Sequence, residues 1–400
     1  MRVLIADKLP ESARQRLIEG GLEVVVEPAL SGEDLVGALK AHDPDVLVVR
    51  STKVTAAHFG APKSLQLVVR AGAGINTIDL EAASAHAVYV ANCPGMNAVA
   101  VAELTWGHIL NADRRIADNV ADLRRGRWRK KTYAKAQGLK DRVLGVIGCG
   151  AIGQAVIHRG LAFGMRVVVW DPMVDAAGAA ALGAELADDI HAVARRADVF
   201  TLHVPLNAAT RGMADAALFE ALRPGAIFVN TSRGPVVDEA ALAEAVRTRG
   251  IRAGLDVFLD EPKAEADWTQ PLAALEGVYG THHIGASTNQ AQEAVAAEAC
   301  RVILEWRGTG EAPNCVNLAT VTPATHRIVV RHADEVGVLA STLELIREAG
   351  LNVQRMQNII FTGAGAAGCA RINVVGPVDS ALVERLAVQP NVFDVNVLEI

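Results

Sequence analysis

Three side chains that together can oxidise a hydroxyl group, Arg233, Glu261 and His283, follow successive predicted strands. The apolar runs before them, each typical of a buried strand, are Ile227–Asn230, Ala253–Val257 and Val278–Tyr279. Because ligands of an open parallel sheet bind beyond the carboxyl ends of its strands, we expect the three side chains to meet at one edge. This placement predicts an active site there.

Each of the three residue types has a matching task in the oxidation of a 2-hydroxy acid. Histidine takes the hydroxyl proton as hydride leaves the carbon, since its charge changes near neutral pH. A neighbouring glutamate stabilises the imidazolium and fixes its tautomer, so we expect Glu261 to pair with His283. Arg233 offers a planar fork that fits a carboxylate better than lysine does. Taken singly, Arg233 also fits a helix cap and His283 a structural loop residue, but their joint placement favours catalysis.

A glycine-rich turn upstream predicts a bound dinucleotide. Gly148, Gly150 and Gly153 follow the predicted strand Val143–Ile147 in G-x-G-x-x-G spacing, which allows a tight turn and brings the amides of the next helix to a pyrophosphate. Asp171 lies 18 residues after Gly153, near the ~20 expected for a carboxylate that binds ribose hydroxyls. It would repel a 2′-phosphate, so NAD is favoured over NADP. The other residues expected at the cofactor are Ala151, Ile152, Val204, Thr231, Gly285 and, behind Arg233 or the nicotinamide, Asp256.

The composition predicts a reduced, cytoplasmic α/β protein. The chain has 400 residues, 51% of them hydrophobic, and 35 glycines, enough for two or three domains with buried parallel strands. Its five cysteines are scattered without C-x-x-C spacing, which predicts neither a disulfide framework nor a metal site. We expect no membrane helix, because no apolar run approaches ~18 residues, and no signal peptide, because MRVLIADKLPES begins a strand directly.

The charge pattern argues against nucleic acid as a partner. A formal net charge of −6 disfavours bulk affinity for nucleic acid. The basic stretch Arg124–Lys131 includes Trp128, a combination that also occurs in proteins that stack on single strands. We favour a solvated loop that meets a neighbouring subunit and adds positive potential for an anionic small-molecule substrate.

The order of elements predicts two doubly wound parallel sheets of the Rossmann or flavodoxin type, followed by a smaller module. Further predicted strands are Val3–Ala6, Val24–Val26, Val46–Val49, Leu67–Val69, Tyr89–Ala91, Arg166–Trp170 and Val199–Val204. A long helix, Ala98–Asp122, joins the two sheets, helices separate the later strands, and the helix Gln290–Arg307 is expected to return to the first sheet. The predicted domains are 1–96 with 286–316 for substrate, 97–285 for NAD, and 324–400 for regulation.

The last ~80 residues follow the order βαββαβ, which predicts a ferredoxin-like module. Its predicted elements are strand Arg327–His332, helix Gly337–Ala349, strand Asn352–Phe361, a glycine turn at 363–368, strand Ala370–Val375, helix Asp379–Val388 and strand Phe393–Leu398. A module of this size has no room for a second large active site. We therefore expect it to bind an effector or to assemble subunits.

Several segments resemble one known family. NTSRGPVVDEAAL, GLDVFLDEP and HIGAST closely resemble signature blocks of the D-isomer-specific 2-hydroxyacid dehydrogenases. VVRSTKVTA, VVRAGAGINTIDLEAAS and ANCPGMNAVAVAELT resemble the members that oxidise 3-phospho-D-glycerate, and the resemblance covers nearly the whole chain. It implies that Arg233 binds the carboxylate and polarises the keto oxygen, that Glu261 supports the base, and that His283 is the acid/base.

The same resemblance implies a substrate site in the first domain. The residues are Arg50 and Ser51 for a phosphate group and, in the loop that offers amides to the carboxylate, Arg70, Gly72, Ala73 and Gly74. A phosphate dianion needs a cation and hydrogen-bond donors, which agrees with this role for Arg50; the alternative is a surface ion pair. Asn97 opens the long helix and either binds substrate or caps that helix.

Two departures from the family affect these predictions. His282 stands where a proline usually precedes the catalytic histidine, so the choice of His283 over His282 rests on the alignment of HIG. The C-terminal module resembles the ACT domain, in which a histidine and two asparagines hold serine between two subunits. The matching residues here are His332, Asp334 and Asn352. Because a carboxylate replaces one amide, L-serine binding and subunit assembly alone are both open.

By this resemblance we expect NAD-dependent oxidation of 3-phospho-D-glycerate to 3-phosphohydroxypyruvate, the entry to L-serine synthesis, by a homodimer or homotetramer. One alternative keeps the chemistry but uses an unphosphorylated 2-hydroxy acid, such as the hydroxypyruvate or glyoxylate couple. A second alternative is an NAD-sensing, corepressor-like binding protein on the same fold. Replacement of Arg50 tests the first alternative, because it should reduce activity with phosphorylated substrates far more than with unphosphorylated ones. Replacement of His283 tests the second, because a binding protein would tolerate the loss of an acid/base residue.

Overall fold

The structure, a computed structural model, describes residues 1–262, 265–363 and 366–400. The chain forms two compact units, Met1–Asn317 and Leu318–Ile400, each with its own hydrophobic core. Within the described residues, every helix is too short or too polar to cross a lipid bilayer.

The first unit opens with a parallel sheet of short strands rich in β-branched residues. The strands are β1 (Arg2–Ile5), β2 (Glu23–Val26), β3 (Val46–Val49), β4 (Leu67–Arg70) and β5 (Tyr89–Asn92). The helices between them are α1 (Glu11–Glu19), α2 (Gly32–His42), α3 (Ala56–Phe59) and α4 (Leu80–Ala85). The spatial order β2-β1-β3-β4-β5 confirms the predicted flavodoxin-type sheet. The strand order reverses between β1 and β3, where such sheets form a ligand-binding crevice.

The second sheet has seven parallel strands in the Rossmann order, as predicted. It follows helices α5 (Ala98–Arg114), α6 (Ile116–Arg124) and α7 (Lys130–Tyr133). Its strands are β6 (Val143–Ile147), β7 (Arg166–Trp170), β8 (Glu185–Leu186), β9 (Val199–Leu202), β10 (Ile227–Asn230), β11 (Arg252–Leu255) and β12 (Val278–Gly280). Its helices are α8 (Ala151–Ala162), α9 (Ala176–Ala181), α10 (Ile190–Arg196), α11 (Ala216–Ala221) and α12 (Glu239–Arg249), with a 3-10 turn at Gly234–Val236. The spatial order is β12-β11-β10-β9-β6-β7-β8.

The single helix predicted over Ala98–Asp122 is wrong, because the helix breaks at Arg115. That residue adopts the left-handed conformation with φ of 54°, so the chain turns between α5 and α6. The side chain of Asn111 accepts the backbone N–H of Ala117 at 2.8 Å, and Arg115 donates to Asp118 and Glu276 at 2.9 Å each. These contacts stabilise a break that helical periodicity on both sides does not reveal.

The connection between β11 and β12 also differs from the prediction of a helix between each pair of strands. Its described residues, 256–262 and 265–277, form turns and extended chain only. Pro262 and Pro271 lie within it, and proline disrupts a helix because it lacks the N–H donor. This connection carries Glu261.

Helix α13 (Asn289–Thr309) returns to the first sheet, as the sequence predicts. Val295 and Ile303 of this helix are buried in one cluster with Val3 of β1 and Leu17 of α1. The core of the first sheet is therefore built from two segments that are far apart in the sequence.

The second unit has the predicted βαββαβ order. Its elements are β13 (His326–Ala333), α14 (Val338–Glu348), β14 (Asn352–Phe361), β15 (Ala367–Val375), α15 (Ser380–Ala387) and β16 (Val392–Glu399). The strands pair antiparallel in the order β14-β15-β13-β16, and the apolar faces of both helices pack on one side of the sheet. Residues 364 and 365 of the predicted glycine turn lie outside the described residues, and β15 begins three residues earlier than predicted.

Candidate functional site

A cavity of about 770 Å³ in the first unit lies where the carboxyl ends of both sheets meet. Arg50 and Arg70 reach it from β3 and β4, and Arg233 and His283 reach it from the loops after β10 and β12. Asn97, just before α5, and the first turns of α13 complete its wall. The cavity therefore brings together most of the residues predicted from the sequence to form the site, including Arg233 and His283.

His283 and Glu261 form the predicted pair. Nδ1 of His283 lies 3.0 Å from each carboxylate oxygen of Glu261, while the imidazole lines the cavity. The hydrogen bond to Glu261 holds the pKa of His283 above its usual value, against the opposing effect of burial. Since Nδ1 is occupied, Nε2 is the atom that can exchange a proton with a substrate. His282 does not contribute to the described wall of the cavity, whereas His283 does, which favours His283 as the base.

Asp256 holds the loop that carries His283. Its buried carboxylate accepts hydrogen bonds from the hydroxyl of Thr281 at 2.6 Å and from the backbone N–H groups of Ile284 and Gly285 at 2.9 and 2.8 Å. Its backbone carbonyl accepts the N–H of His283 at 2.8 Å. His283 has a φ of 53°, in the left-handed region, where a non-glycine residue needs support from its surroundings. The contacts of Asp256 thus position His283. The sequence predicted only that Asp256 would lie behind Arg233 or the nicotinamide.

Arg233 is positioned by a hydrogen-bonded turn and by a glycine. The side chain of Asn230 accepts from Ser232 and donates to the carbonyl of Arg233 at 2.9 Å. The guanidinium packs so closely on Gly74 that a Cβ there would lie 2.7 Å from Nη2 of Arg233. Burial lowers the pKa of Arg233 below its usual range. A side chain at position 74 would therefore displace the Arg233 guanidinium from this contact between the two sheets.

Three guanidinium groups form a cationic cluster in the cavity. Burial lowers the pKa of Arg70, and the positive charges of Arg233 and Arg50 lower it further. Among the described residues, Nε of Arg70 is buried without a hydrogen-bond partner. Like charges held this close favour an anion that can pair with several of them.

The remaining predicted substrate residues divide into two groups. Gly72, Ala73, Gly74 and Asn97 line the cavity, and the side chain of Asn97 makes no capping hydrogen bond to α5, which favours substrate over helix capping. Ser51 is exposed, lies outside the cavity wall, and donates its hydroxyl to Asp7 at 3.2 Å. The structure therefore does not bring Ser51 to the cavity with Arg50.

The glycine turn fits a dinucleotide. Gly148 has a φ of 92°, and a Cβ on Gly153 would overlap the carbonyl of Gly148, so both positions require glycine. Gly150 faces open space at the start of α8. Asp171, at the end of β7, accepts the N–H of Cys149 in the turn at 2.7 Å. Of the predicted cofactor residues, those that also line the cavity are Ile152, Val204, Thr231, Asp256 and Gly285, whereas Gly148, Gly150, Ala151, Gly153 and Asp171 form the adjoining turn and strand end.

The predicted effector residues of the second unit do not come together within one chain. His332 is buried, with Nε2 at 3.0 Å from Oδ1 of Asn358 and Nδ1 at 2.7 Å from the carbonyl of Ala333. His332 pairs with Gly368 and Asn352 pairs with Val375, a separation of roughly 20 Å along β15. Asp334 lies beyond the end of β13.

Sequence analysis missed several residues of the site. Gln292 of α13 and His203 after β9 line the cavity. Burial lowers the pKa of His203 to about 3, so its imidazole is neutral. His203 lies within the predicted strand Val199–Val204, but the strand ends at Leu202, so the rule that ligands bind beyond strand ends identifies His203 only once that boundary is known. Gln292 carries no such signal, since only the return of α13 brings it to the site.

Known proteins share this architecture. Residues 106–285 match the family model described as D-isomer specific 2-hydroxyacid dehydrogenase, NAD binding domain. A D-3-phosphoglycerate dehydrogenase of Methanocaldococcus jannaschii is 42% identical over 80% of this chain and 60% of its own. A hydroxypyruvate reductase of Thermotoga maritima is 38% identical over 77% of this chain and 98% of its own. A structure of NAD⁺-bound 3-phosphoglycerate dehydrogenase from Entamoeba histolytica is similar with a TM-score of 0.66 at 27% identity, covering 80% of this chain and 99% of that one. The chain spans about 60% of the length of the curated phosphoglycerate dehydrogenases it matches.

Replacing Gly150 with alanine tests the cofactor site without disturbing the fold. The added methyl group meets no protein atom within 4 Å, but it would stand where the pyrophosphate must approach the backbone. We expect Gly150→Ala to weaken NADH binding about tenfold or more, measured by fluorescence titration, and to leave the melting temperature unchanged. Gly37→Ala, an equally uncrowded position on α2, is the matched control. Unchanged NADH affinity in Gly150→Ala would place the dinucleotide elsewhere.

Proposed function

This chain belongs to the D-isomer specific 2-hydroxyacid dehydrogenase family, and we propose that it oxidises 3-phospho-D-glycerate to 3-phosphohydroxypyruvate with NAD, as an entry to L-serine synthesis. The observation that carries this proposal is one cavity lined by three guanidinium groups and by a histidine paired with a glutamate. The 42% identity to a D-3-phosphoglycerate dehydrogenase supports the same reading.

The charge of the cavity favours a substrate with two anionic groups. Arg233 and the backbone of Gly72–Gly74 suit the carboxylate, which leaves Arg50 for a second anion. 3-Phosphoglycerate carries a carboxylate and a phosphate dianion. A monocarboxylate would leave buried donors without partners, which costs affinity.

The proposed mechanism assigns one task to each side chain. His283 takes the hydroxyl proton at Nε2, and Glu261 at Nδ1 stabilises the positive charge that then forms on the ring. The glycine turn Gly148–Gly153 and Asp171 would hold NAD, which would supply the acceptor for the hydride that leaves C2 of the substrate. Arg233 binds the carboxylate and polarises the oxygen that becomes the carbonyl. In the reverse direction His283 returns the same proton.

A second candidate keeps this mechanism with an unphosphorylated 2-hydroxy acid. It is favoured by the relative that is named a hydroxypyruvate reductase and is matched over 98% of its length. The NAD-sensing alternative has less support, because sensing does not need a paired histidine and glutamate beside the substrate cations.

Parallel assays of NADH formation with 3-phosphoglycerate, D-glycerate and D-lactate distinguish the two candidates. We expect 3-phosphoglycerate to give the highest kcat/KM. We also expect Arg50→Ala to lower kcat/KM for 3-phosphoglycerate about 10- to 100-fold, as for the loss of a charge-assisted hydrogen bond, and to change the value for D-glycerate less than about threefold. Lys53→Ala, a cation of the same loop outside the cavity wall, is the control. Equal losses for both substrates in Arg50→Ala would contradict the phosphate site.

The pH dependence of oxidation tests the pairing of Glu261 with His283. Oxidation requires neutral His283, so its rate rises with pH through the raised pKa of that residue. Glu261→Gln removes the carboxylate that raises the pKa, so we expect the acidic limb of kcat to move to lower pH. We also expect the plateau to fall at least about tenfold. Glu276→Gln, an exposed carboxylate paired with Arg115, should leave both unchanged. An acidic limb that stays in place in Glu261→Gln argues that another group titrates.

We further infer that Leu318–Ile400 is an ACT-type module that regulates or assembles subunits, since its elements follow the order βαββαβ. A serine site built from His332 and Asn352 would need a second copy of the chain, because the two are far apart within one. A homodimer or homotetramer is supported by apolar residues exposed at helical spacing on α6, namely Ile116, Val120 and Leu123. A cytoplasmic location is supported by five cysteines that are all free thiols.

A further inference from the structure

One buried carboxylate outside the predicted site organises the loop that carries Arg50. Oδ2 of Asp7 accepts the backbone N–H groups of Arg50, Ser51 and Thr52 at 2.6, 3.1 and 3.0 Å. Oδ1 accepts the hydroxyl of Ser51 at 3.2 Å. Asp7 is 8% exposed, so these four donors replace most of its hydration. The contacts fix three consecutive residues after β3.

The position of this cluster in the sheet connects it to ligand binding. Asp7 follows β1 and Arg50 follows β3, the two strands between which the strand order reverses. Sheets of this order bind ligands in the crevice at that reversal. Arg50 lines the cavity there, whereas Asp7 and Ser51 stand outside its wall.

We propose that Asp7 is a positioning residue that determines specificity for a phosphorylated substrate by fixing the backbone of Arg50. The proposal rests on the function proposed above. The guanidinium of an arginine can form directional hydrogen bonds to a phosphate only if the Cα of that arginine is held in position. A displaced guanidinium loses these hydrogen bonds and keeps only its charge. Asp7 supplies that fixed point without contacting the substrate.

The charge of Asp7 offers a second way to act, which the choice of variant separates. Asp7 raises the pKa of Arg70 slightly, through its negative charge. In Asp7→Asn the amide oxygen can still accept all three backbone N–H groups, while the NH2 group faces the hydroxyl of Ser51, which can accept. This variant keeps the geometry and removes the charge. Asp7→Ala removes both.

The same sheet provides a matched control at a site away from the cavity. Asp43 accepts the N–H groups of Lys63 and Ser64 at 2.6 and 3.0 Å, and the hydroxyl of Ser64 at 3.0 Å. It precedes β3 and so lies at the opposite edge of the sheet. Asp43→Ala therefore removes a loop-binding carboxylate, more exposed than that of Asp7, without touching Arg50, so any change of the substrate ratio in this variant reflects stability.

The experiment measures NADH-dependent reduction of 3-phosphohydroxypyruvate and of hydroxypyruvate by the full-length chain. For Asp7→Ala we expect kcat/KM for the phosphorylated substrate to fall about 10- to 100-fold, mainly through KM, and the value for hydroxypyruvate to change less than about threefold. Asp7→Asn should keep the ratio of the two values within about threefold of wild type. In Asp7→Ala/Arg50→Ala the ratio should equal that of Arg50→Ala, because residues that act through one contact are not additive.

Several results would overturn the proposal. Equal losses for both substrates in Asp7→Ala, or a similar change of the ratio in Asp43→Ala, would assign Asp7 a role in stability only. A loss in Asp7→Asn as large as in Asp7→Ala would assign the effect to charge rather than to geometry. Additive losses in the double variant would show that Asp7 does not act through Arg50.

If Asp7→Ala does not fold, as judged by its melting temperature and NADH binding, Asp7→Ser is expected to show the same loss of ratio. A wild-type enzyme that reduces hydroxypyruvate but not the phosphorylated substrate instead refutes the proposed function, and this inference with it.

Discussion

Aspartates that accept the backbone N–H groups of neighbouring loops are the constraint on which the site depends. Loops at the ends of parallel strands leave N–H groups without ladder partners, and a buried amide without a partner is costly. Asp256 accepts N–H groups of the loop that carries His283, and Asp7 accepts those of the loop that carries Arg50. Asp171 accepts an N–H group of the glycine turn. Each carboxylate is in turn stabilised by the donors it binds. The loops that carry the chemistry are thereby as fixed as the strands they follow.

Because these loops are anchored, charged side chains stay close together in the cavity, where their interactions are screened less than they would be in water. Arg50, Arg70 and Arg233 lie close enough for the positive charges of Arg233 and Arg50 to lower the pKa of Arg70, in addition to the effect of burial. Gly74 contributes by letting the Arg233 guanidinium approach the loop of the first sheet. The same rigidity keeps His283 in a left-handed conformation beside Glu261. A cationic, preorganised cavity of this kind favours an anionic substrate. Glu261 favours the charged form of His283 against the opposing positive charge of Arg233.

Much of this was predictable from the sequence, because it depends on local signals. Apolar runs with β-branched residues indicated the strands, glycine spacing indicated the dinucleotide turn, and the placement of Arg233, Glu261 and His283 after successive strands indicated their convergence.

The features that the sequence did not predict correctly share another cause. The break at Arg115 is stabilised by Glu276, far away in sequence, and the exclusion of Ser51 depends on the acceptor Asp7. Likewise, the separation of His332 from Asn352 follows from strand register. Contacts between distant segments decide these features, and residue type and spacing do not encode them individually. Asp7 itself was detectable, since it directly follows a predicted strand.

The central claim is that one imidazole, held by Glu261 and Asp256, takes the substrate proton as hydride is transferred. A single-turnover measurement with His283→Ala tests it most directly, since it observes formation of NADH before any product leaves. The account predicts NAD binding close to that of the wild type and a rate of NADH formation about 10²- to 10⁴-fold lower, the usual contribution of general acid–base catalysis. A variant that forms NADH at the wild-type rate, or one that loses NAD binding together with activity, would contradict it.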